Sequence, residues 1–274
     1  SWCTNNKIMV KHDLSHNKNV LKAYFNWLIE QSVSRSTITR KKAPVSKFLK
    51  VLDLPNPFRD VMFNDWLMLA LKQKPAFQHQ ALALTHDLLL NINGKLDEKC
   101  PLQLRDKLVL NIMFDGLLRA SELCSLKCGD ISVIKKSIFI SSSKTDQESR
   151  GSYRALSRTS IQLIELWKTN YDVRSGFLLR SLTPSKKVTL RGLKYSAVYE
   201  TYKRLSKLVD IDDNIFTTHS ARVGGAVTLA EHNCNLLEIQ HAGGWKTSTM
   251  PARYTEQTSI HNSGMGNIMK KLGR

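Results

Sequence analysis

Apolar residues recur at helical spacing in the first quarter of the chain and predict a small helical domain. The pattern indicates helices over residues 17–32, 34–53 and 60–73. The apolar positions of the first helix are Val20, Leu21, Tyr24, Phe25, Leu28 and Ile29, and those of the second are Val45, Phe48, Leu49 and Leu52. Pro44 lies inside the second segment, where it is expected to kink the helix or split it in two.

A polar, proline-bearing stretch, residues 74–80, then separates this domain from a larger one. Further helices are predicted near residues 85–93, 101–115, 159–170, 195–209, 220–232, 235–241, 247–254 and 264–272. Gly116 is suited to the C′ position of the helix before it, and a short helix carrying Arg119 and Glu122 follows. Residues 131–157 predict three antiparallel strands, with Lys144 in the turn between the second and the third.

The predicted fold is therefore mainly α with a small antiparallel β-sheet. Residues 1–76 are expected to form a helical domain, residues 77–84 a linker, and residues 85–274 an α+β domain. The chain opens with Ser-Trp-Cys instead of Met, so we expect it to be a fragment or a processed form.

The charge of the chain favours a polyanionic partner. Lys and Arg outnumber Asp and Glu by 41 to 23, which gives a formal net charge of +18. The excess is spread along the chain, with 13 against 5 in residues 1–84 and 28 against 18 in residues 85–274. Nucleic acid suits such a surface because each neutralised phosphate releases counterions. The alternative is an ordinary basic protein of a ribosome or a membrane surface.

Other sequence features narrow the class of protein. No apolar run approaches the roughly 20 residues of a membrane span, and no signal peptide is expected. The five cysteines are odd in number and form no C-x-x-C pair, which predicts free thiols in a reducing compartment. Cys124 and Cys128 lie at helical spacing, but no histidine pair accompanies them, and a zinc site is not expected.

Three segments carry residues that could surround and attack one phosphate. They read G-L-L-R-A-S-E-L (116–123), T-H-S-A-R-V-G-G (218–225) and A-G-G-W-K-T-S-T-M-P-A-R-Y (242–254). With the predicted turn, they supply Arg119, Lys144, His219, Arg222, Trp245 and Tyr254. His219 and Arg222 are three residues apart at the start of a helix, where free N–H groups and the helix dipole also favour an anion.

Each of these residues also has an ordinary interpretation. H-x-x-R occurs by chance in many helices, and Arg119 and Glu122 could form a simple intrahelical ion pair. Tyr254 is one of seven tyrosines, Trp245 could belong to the core, and Lys144 could be a solvated turn residue. The order and the conjunction of the segments, not any single residue, indicate chemistry on a nucleic acid backbone.

Taken in this order, the segments resemble the tyrosine recombinases, the site-specific DNA integrases, and most closely their Cre branch. The resemblance rests on R-x-x-E after G-L-L, a lysine in the following β-turn, H-S-A-R-V-G, A-G-G-W and a tyrosine nine residues beyond the tryptophan. It covers about residues 85–274, and more weakly residues 17–75, where we expect the family's first helix or two to be missing from this chain. Most of the family has histidine where this chain has Trp245. His241 could be mistaken for that residue, but the A-G-G-W context favours Trp245.

The resemblance implies a metal-free and ATP-free strand exchange without a cofactor. Tyr254 would attack a DNA phosphorus to give a 3′-phosphotyrosyl link, and the reaction would pass through a Holliday junction. Arg119 and Arg222 would bind the phosphate oxygens, His219 would accept the tyrosine proton or bind the phosphate, and Lys144 would protonate the leaving oxygen. Trp245 would donate its indole N–H, and Glu122 would orient the arginine or its neighbours. Residues proposed to reach DNA are Arg35, Arg40, Lys41, Lys42, Lys194, Tyr195 and Ser196.

The resemblance also implies partners and a location. The DNA target would be a duplex with inverted repeats, and four copies would assemble on it. In the family a C-terminal helix docks on the neighbouring subunit, whereas the apolar positions Met265, Ile268, Met269 and Leu272 could instead pack on their own domain. A mobile element and a cytoplasmic, nucleoid-associated location in a bacterial host are expected. Two alternatives remain: a type IB topoisomerase or telomere resolvase with the same site, and a catalytically idle DNA-binding relative.

Overall fold

The computed structural model describes residues 2–6, 18–74, 80–141, 151–209, 216–256, 268–269 and 271–273. The chain divides into two compact units, one up to His79 and one from Gln80. Each unit has its own hydrophobic core.

The first unit is helical. Its helices are α1 (Trp2–Asn5), α2 (Lys18–Glu30), α3 (Arg35–Val51) and α4 (Val61–Lys72), with a 3₁₀ turn at Pro57–Arg59. The core contains Leu21, Phe25, Leu28, Ile38, Phe58, Phe63, Leu67 and Leu71. Side chains at Ser34 and Asp60 accept hydrogen bonds from backbone N–H groups and so begin α3 and α4.

The structure tests two expectations for α3. The helix is not split at Pro44 but continues through it to Val51. Its buried face contains Ile38 and Leu49, whereas Phe48 of the predicted apolar stripe is exposed. The rest of the predicted stripe faces inward, since Leu49 is buried and Val45 packs against the core.

The second unit is mainly helical with two small antiparallel sheets. Its helices are α5 (His86–Gly94), α6 (Pro101–Asp115), α7 (Ala120–Ser125), α8 (Arg158–Asn170), α9 (Tyr195–Ser206), α10 (Ser220–Glu231), α11 (Leu236–Gly243) and α12 (Thr249–Thr255), with a 3₁₀ turn at Cys128–Asp130. Its strands are β1 (Ile131–Ser132), β2 (Ser137–Ile140), β3 (Ser152–Ala155), β4 (Arg180–Leu182) and β5 (Val188–Gly192).

The sheets show which part of the fold was predicted. The order β1-β2-β3 confirms the predicted three-stranded antiparallel sheet, in which Ile138 pairs with Arg154. The β4–β5 hairpin was not predicted, because its strands are short and mostly half-buried and give no clear alternation. The predicted class, mainly α with a small antiparallel sheet, is confirmed.

Helix α6 lies at the centre of this unit. Its Leu108, Val109, Ile112 and Met113 are fully buried, and α8 and α9 contribute Trp167 and Tyr202 to the same core. Leu84, assigned to the linker from the sequence, is also fully buried, and its N–H donates to the Ser220 carbonyl at 3.0 Å. The segment that enters α5 is therefore attached to the start of α10.

The predicted C-terminal helix lies for the most part outside the described residues. Within the described part, Ile268, Met269 and Leu272 are exposed, and the Leu272 N–H donates to the Ile268 carbonyl at 2.9 Å. Met265 is outside the described residues.

The glycines of T-H-S-A-R-V-G-G allow α10 to approach this entry segment closely. A Cβ on Gly224 would fall 1.7 Å from the Leu84 carbonyl oxygen, so the backbone must move if any side chain is added. We therefore expect Gly224→Ala to lower the free energy of unfolding by about 1–3 kcal/mol. Chemical denaturation of the wild type and of Gly224→Ala measures this difference in the free energy of unfolding.

Gly94→Ala is the matched control, because no atom lies within 4 Å of a Cβ at that helical position. This control should be neutral or slightly stabilising, by up to about 1 kcal/mol. Equal stability of the Gly224 variant and the wild type would contradict the close approach.

Candidate active site

The turn between α6 and α7 presents both a carbonyl and an arginine to the site. Gly116 is the C-cap of α6 with φ −82°, and it is Leu117, at φ +46°, that adopts the left-handed conformation. Arg119 then precedes α7 as its N-cap. Its Nη1 donates to Glu122 Oε1 at 2.6 Å, and its backbone N–H donates to Glu122 Oε2 at 2.8 Å. The buried Glu122 therefore fixes Arg119 through both backbone and side chain.

Arg222 is the most buried cation of the site. It lies in the first turn of α10 with only 3% of its surface exposed. Its Nη1 donates to the Leu117 carbonyl, and its Nη2 donates to the Gly243 carbonyl at 2.9 Å. Burial and the nearby charge of Arg119 lower the pKa of Arg222 to about 10, so it remains a cation at neutral pH.

The A-G-G-W segment forms a tight turn under this arginine. Gly244 has φ +59° and ends α11 in the left-handed conformation. The Trp245 ring then lies under the guanidinium, with Cζ of Arg222 4.1 Å from the ring centroid. Gly243 leaves the space for the indole, since a Cβ there would fall 1.9 Å from the ring.

Tyr254, on α12, completes the group. Its ring meets Trp245 edge-on, with centroids 6.0 Å apart and an interplanar angle of 66°. Burial raises the pKa of Tyr254, while the charges of Arg222, Arg253 and Arg119 act in the opposite direction. Because burial is the larger effect, the phenol is protonated at neutral pH.

His219 is the N-cap of α10 and is exposed. Partial desolvation, followed by the charges of Arg222 and Arg119, lowers its pKa below the usual 6.5. The imidazole is therefore neutral at pH 7 and has a ring nitrogen available to accept a proton.

A further arginine, Arg154 on β3, belongs to this group and was missed. Its guanidinium lies on Gly244, where a Cβ would fall 1.7 Å from its Nη2. It also interacts electrostatically with Glu122, Arg119 and Arg222. No motif in the sequence distinguishes Arg154 from other basic residues, because its place depends on the packing of β3 against the end of α11.

The other predicted residues have varied positions. Lys144 lies outside the described residues, between strands β2 and β3 in sequence. His241 is exposed on α11, whereas Trp245 contacts Arg222. Tyr195 is exposed at the start of α9, and its hydroxyl is 3.2 Å from Thr218 Oγ1.

The remaining candidates for DNA contact differ in how free they are. Arg40, Lys41, Lys194 and Ser196 are exposed, and Arg35 is half-buried. Lys42 instead donates to Asn64 Oδ1 at 2.8 Å and lies over the Phe58 ring. It is therefore held within the first unit.

The described residues contain no group of three or more His, Cys, Asp or Glu placed to hold a metal ion. Cys100, Cys124, Cys128 and Cys234 are free thiols, and burial raises the pKa of Cys124 to about 11. In the same part of the chain, no helix has the length and apolar character needed to cross a membrane.

Comparisons with known proteins show the family to which the chain belongs. The model of the phage integrase family matches residues 83–261. An integrase/recombinase XerD homolog of Selenomonas ruminantium is 24% identical over 98% of this chain and 81% of its own length. The recombinase Cre of Escherichia phage P1 is 25% identical over 73% of this chain and 61% of its own.

A solved structure shows the same fold. The Tn1549 transposon integrase, solved in complex with circular intermediate DNA, has a TM-score of 0.63 and 17% identity, over 88% of this chain and 84% of that chain. The family match supports a DNA recombinase. The chain belongs to the phage integrase family, the tyrosine recombinases, and this membership supports site-specific DNA recombination.

Proposed function

We propose that this chain cleaves and rejoins DNA strands at specific sites through a covalent bond to Tyr254. The observation that carries the proposal is the contact series from Arg222 to Trp245 and from Trp245 to Tyr254, which puts a phenol beside a buried guanidinium. In the reaction Tyr254 Oη bonds to a backbone phosphorus and the bond to the 5′ oxygen breaks. The product is a 3′-phosphotyrosyl link and a free 5′-hydroxyl, and no bond energy is lost.

The charges of the site suit this reaction. Among the described residues it combines Arg119, Arg154 and Arg222 with one carboxylate, Glu122, and so has an excess of positive charge. A phosphodiester gains negative charge as the fifth bond forms, and fixed guanidinium groups stabilise that charge. The positive charge that a divalent metal would otherwise supply is therefore provided by side chains.

Proton transfers complete the proposed chemistry. Tyr254 is protonated at neutral pH, so its proton must leave during attack, and the neutral His219 is the proposed acceptor. Lys144 is proposed to protonate the leaving 5′ oxygen, and Trp245 to donate its indole N–H to a phosphate oxygen. We further propose a tetramer on inverted repeats and a Holliday junction intermediate. Native mass spectrometry of the chain on its target DNA would count the subunits.

Covalent capture tests the proposal and supplies a substrate for later experiments. The protein is incubated in excess EDTA with fragments of the DNA that flanks its own gene, and the mixture is quenched in SDS. We expect SDS-resistant adducts at a few positions, each belonging to a pair of inverted repeats. A spacer of roughly half to one helical turn should separate the two repeats. A duplex recovered in this way is called the captured site below.

Other outcomes would contradict the proposal. Adducts that need added magnesium would exclude the metal-free mechanism. Relaxation of supercoiled DNA with cleavage at many unrelated sequences would favour a type IB topoisomerase. DNA binding without any adduct would favour the catalytically idle relative.

The pKa of His219 predicts a pH dependence. If the neutral imidazole accepts the tyrosine proton, protonation of His219 stops the reaction. Because its pKa is lowered below 6.5, the second-order rate constant of adduct formation should be constant around neutral pH and fall only below pH 6.5. Quenched time courses on the captured site at several pH values measure this profile. A rate constant that already falls between pH 8 and 7 would exclude His219 as the group responsible.

A further inference from the structure

Arg154 has a contact that the chemistry proposed above does not explain. Its guanidinium lies directly on Gly244, and an added Cβ would fall 1.7 Å from Nη2 and 2.7 Å from Cζ. Its Nη1 donates to the Tyr153 carbonyl at 2.9 Å, which ties the head of the side chain to β3. The side chain therefore bridges a strand of the three-stranded sheet and the turn of A-G-G-W.

The turn at residues 243–244 is held by two arginines. Arg222 donates to the Gly243 carbonyl at 2.9 Å, and Arg154 covers Gly244. The Gly244 N–H donates to the His241 carbonyl at 3.1 Å, and the Trp245 N–H donates to the Gln240 carbonyl at 3.0 Å. Glycine suits position 244 for two reasons: its φ is +59°, and the guanidinium occupies the space of a side chain.

The position of this turn determines where the indole lies. Trp245 follows Gly244 directly, and its ring meets both the Arg222 guanidinium and the Tyr254 ring. Glu122 offsets the charge of Arg154, although Arg119 and Arg222 repel it. A bound phosphate would account for the charge of Arg154, whereas its packing on Gly244 is a separate feature that the phosphate does not explain.

We propose that Arg154 is a positioning residue that packs on Gly244 and thereby fixes Trp245 and Tyr254 beside Arg222. This inference rests on the proposed function, because it assigns a task to Arg154 within that reaction. Displacement of a reacting group by about 1 Å can slow a reaction about 10²-fold. Loss of Arg154 should therefore slow chemistry more than it weakens DNA binding.

The first test compares Arg154→Ala with the wild type on the captured site. We expect adduct formation to slow about 10- to 100-fold at saturating protein, with DNA affinity within a few-fold of wild type. Arg158→Ala removes the same charge from an exposed position on α8 and should cleave at the wild-type rate. Thermal unfolding of each variant identifies loss of fold, and if Arg154→Ala is unfolded, Arg154→Gln replaces it.

A bridging phosphorothiolate separates Arg154 from Lys144. A 5′ sulfur leaves without a proton, so this substrate compensates for a missing general acid and not for a misplaced nucleophile. We expect the Arg154→Ala defect to persist on this substrate. Recovery of the wild-type rate would assign Arg154 to the leaving-group side and overturn the proposal.

A double-mutant cycle with Trp245→Phe gives the decisive measurement. If Arg154 acts through the turn that places the indole, Arg154→Ala should have a severalfold smaller effect in the Trp245→Phe background. Full multiplication of the two effects, or a wild-type rate for Arg154→Ala, would overturn the proposal. Failure of the wild type to form any adduct would instead refute the proposed function.

Discussion

Tyr254→Phe is expected to abolish the covalent protein–DNA adduct completely while leaving DNA binding nearly unchanged. The substitution removes one oxygen, which is the proposed nucleophile, so no other step can replace it. It retains the ring and therefore the edge contact with Trp245, whose centroid lies 6.0 Å away. Quenching in SDS and counting labelled captured-site DNA that stays with the protein measures the adduct. A band-shift titration on the same DNA measures binding.

Tyr171→Phe provides the matched control. Tyr171 packs on Trp167 with ring centroids 4.7 Å apart, away from the arginines, so loss of its hydroxyl should leave the adduct at wild-type yield. An adduct formed by Tyr254→Phe would show that another residue attacks the phosphorus. Loss of binding together with the adduct would mean that the hydroxyl stabilises the fold or the DNA complex.

The types of reactive residue could be predicted from the sequence because the chemistry limits the choice. Few types of side chain can bind or attack a phosphate, so guanidinium groups, an imidazole and a phenol in a fixed order can be recognised. The structure brings Arg119, Arg222, Trp245 and Tyr254 into one group. What they do in the reaction remains a proposal. Helix bounds were also close, with α6 at Pro101–Asp115 as predicted, since Pro101 at its start and Gly116 just beyond its end are strong local signals.

What could not be predicted depends on tertiary packing. The carbonyls of Leu117 and Gly243 orient Arg222, but a backbone carbonyl has no sequence signature. The left-handed residue after α6 is Leu117 and not Gly116, and the Leu117 carbonyl accepts a hydrogen bond from Arg222. Arg154 was missed for the same reason, since only the packing of β3 on the turn at Gly244 brings it to the site.

Lys144→Ala is expected to slow cleavage of ordinary DNA by ~10²–10⁴-fold, the effect of losing a general acid. The 5′ oxygen leaves as a poor alkoxide unless it receives a proton, and Lys144 is the residue proposed to supply that proton. Lys144 lies between β2 and β3 in the sequence, outside the described residues, and this position in the chain supports the proposed role. The rate is measured as adduct formation on the captured site in single-turnover conditions.

A substrate with sulfur in the 5′-bridging position decides whether Lys144 has this role. A thiolate leaves without protonation, so Lys144→Ala should cleave this substrate at close to the wild-type rate. Lys135→Ala is the control, because Lys135 is an exposed lysine between β1 and β2 and should behave as wild type on both substrates. Equal defects of Lys144→Ala on oxygen and sulfur substrates would mean that the lysine binds the phosphate or supports the fold. If the sulfur substrate restores the rate of Lys144→Ala but not that of Arg154→Ala, the two residues act on opposite sides of the phosphorus. Lys144 would then act at the leaving group, and Arg154 would act behind the nucleophile.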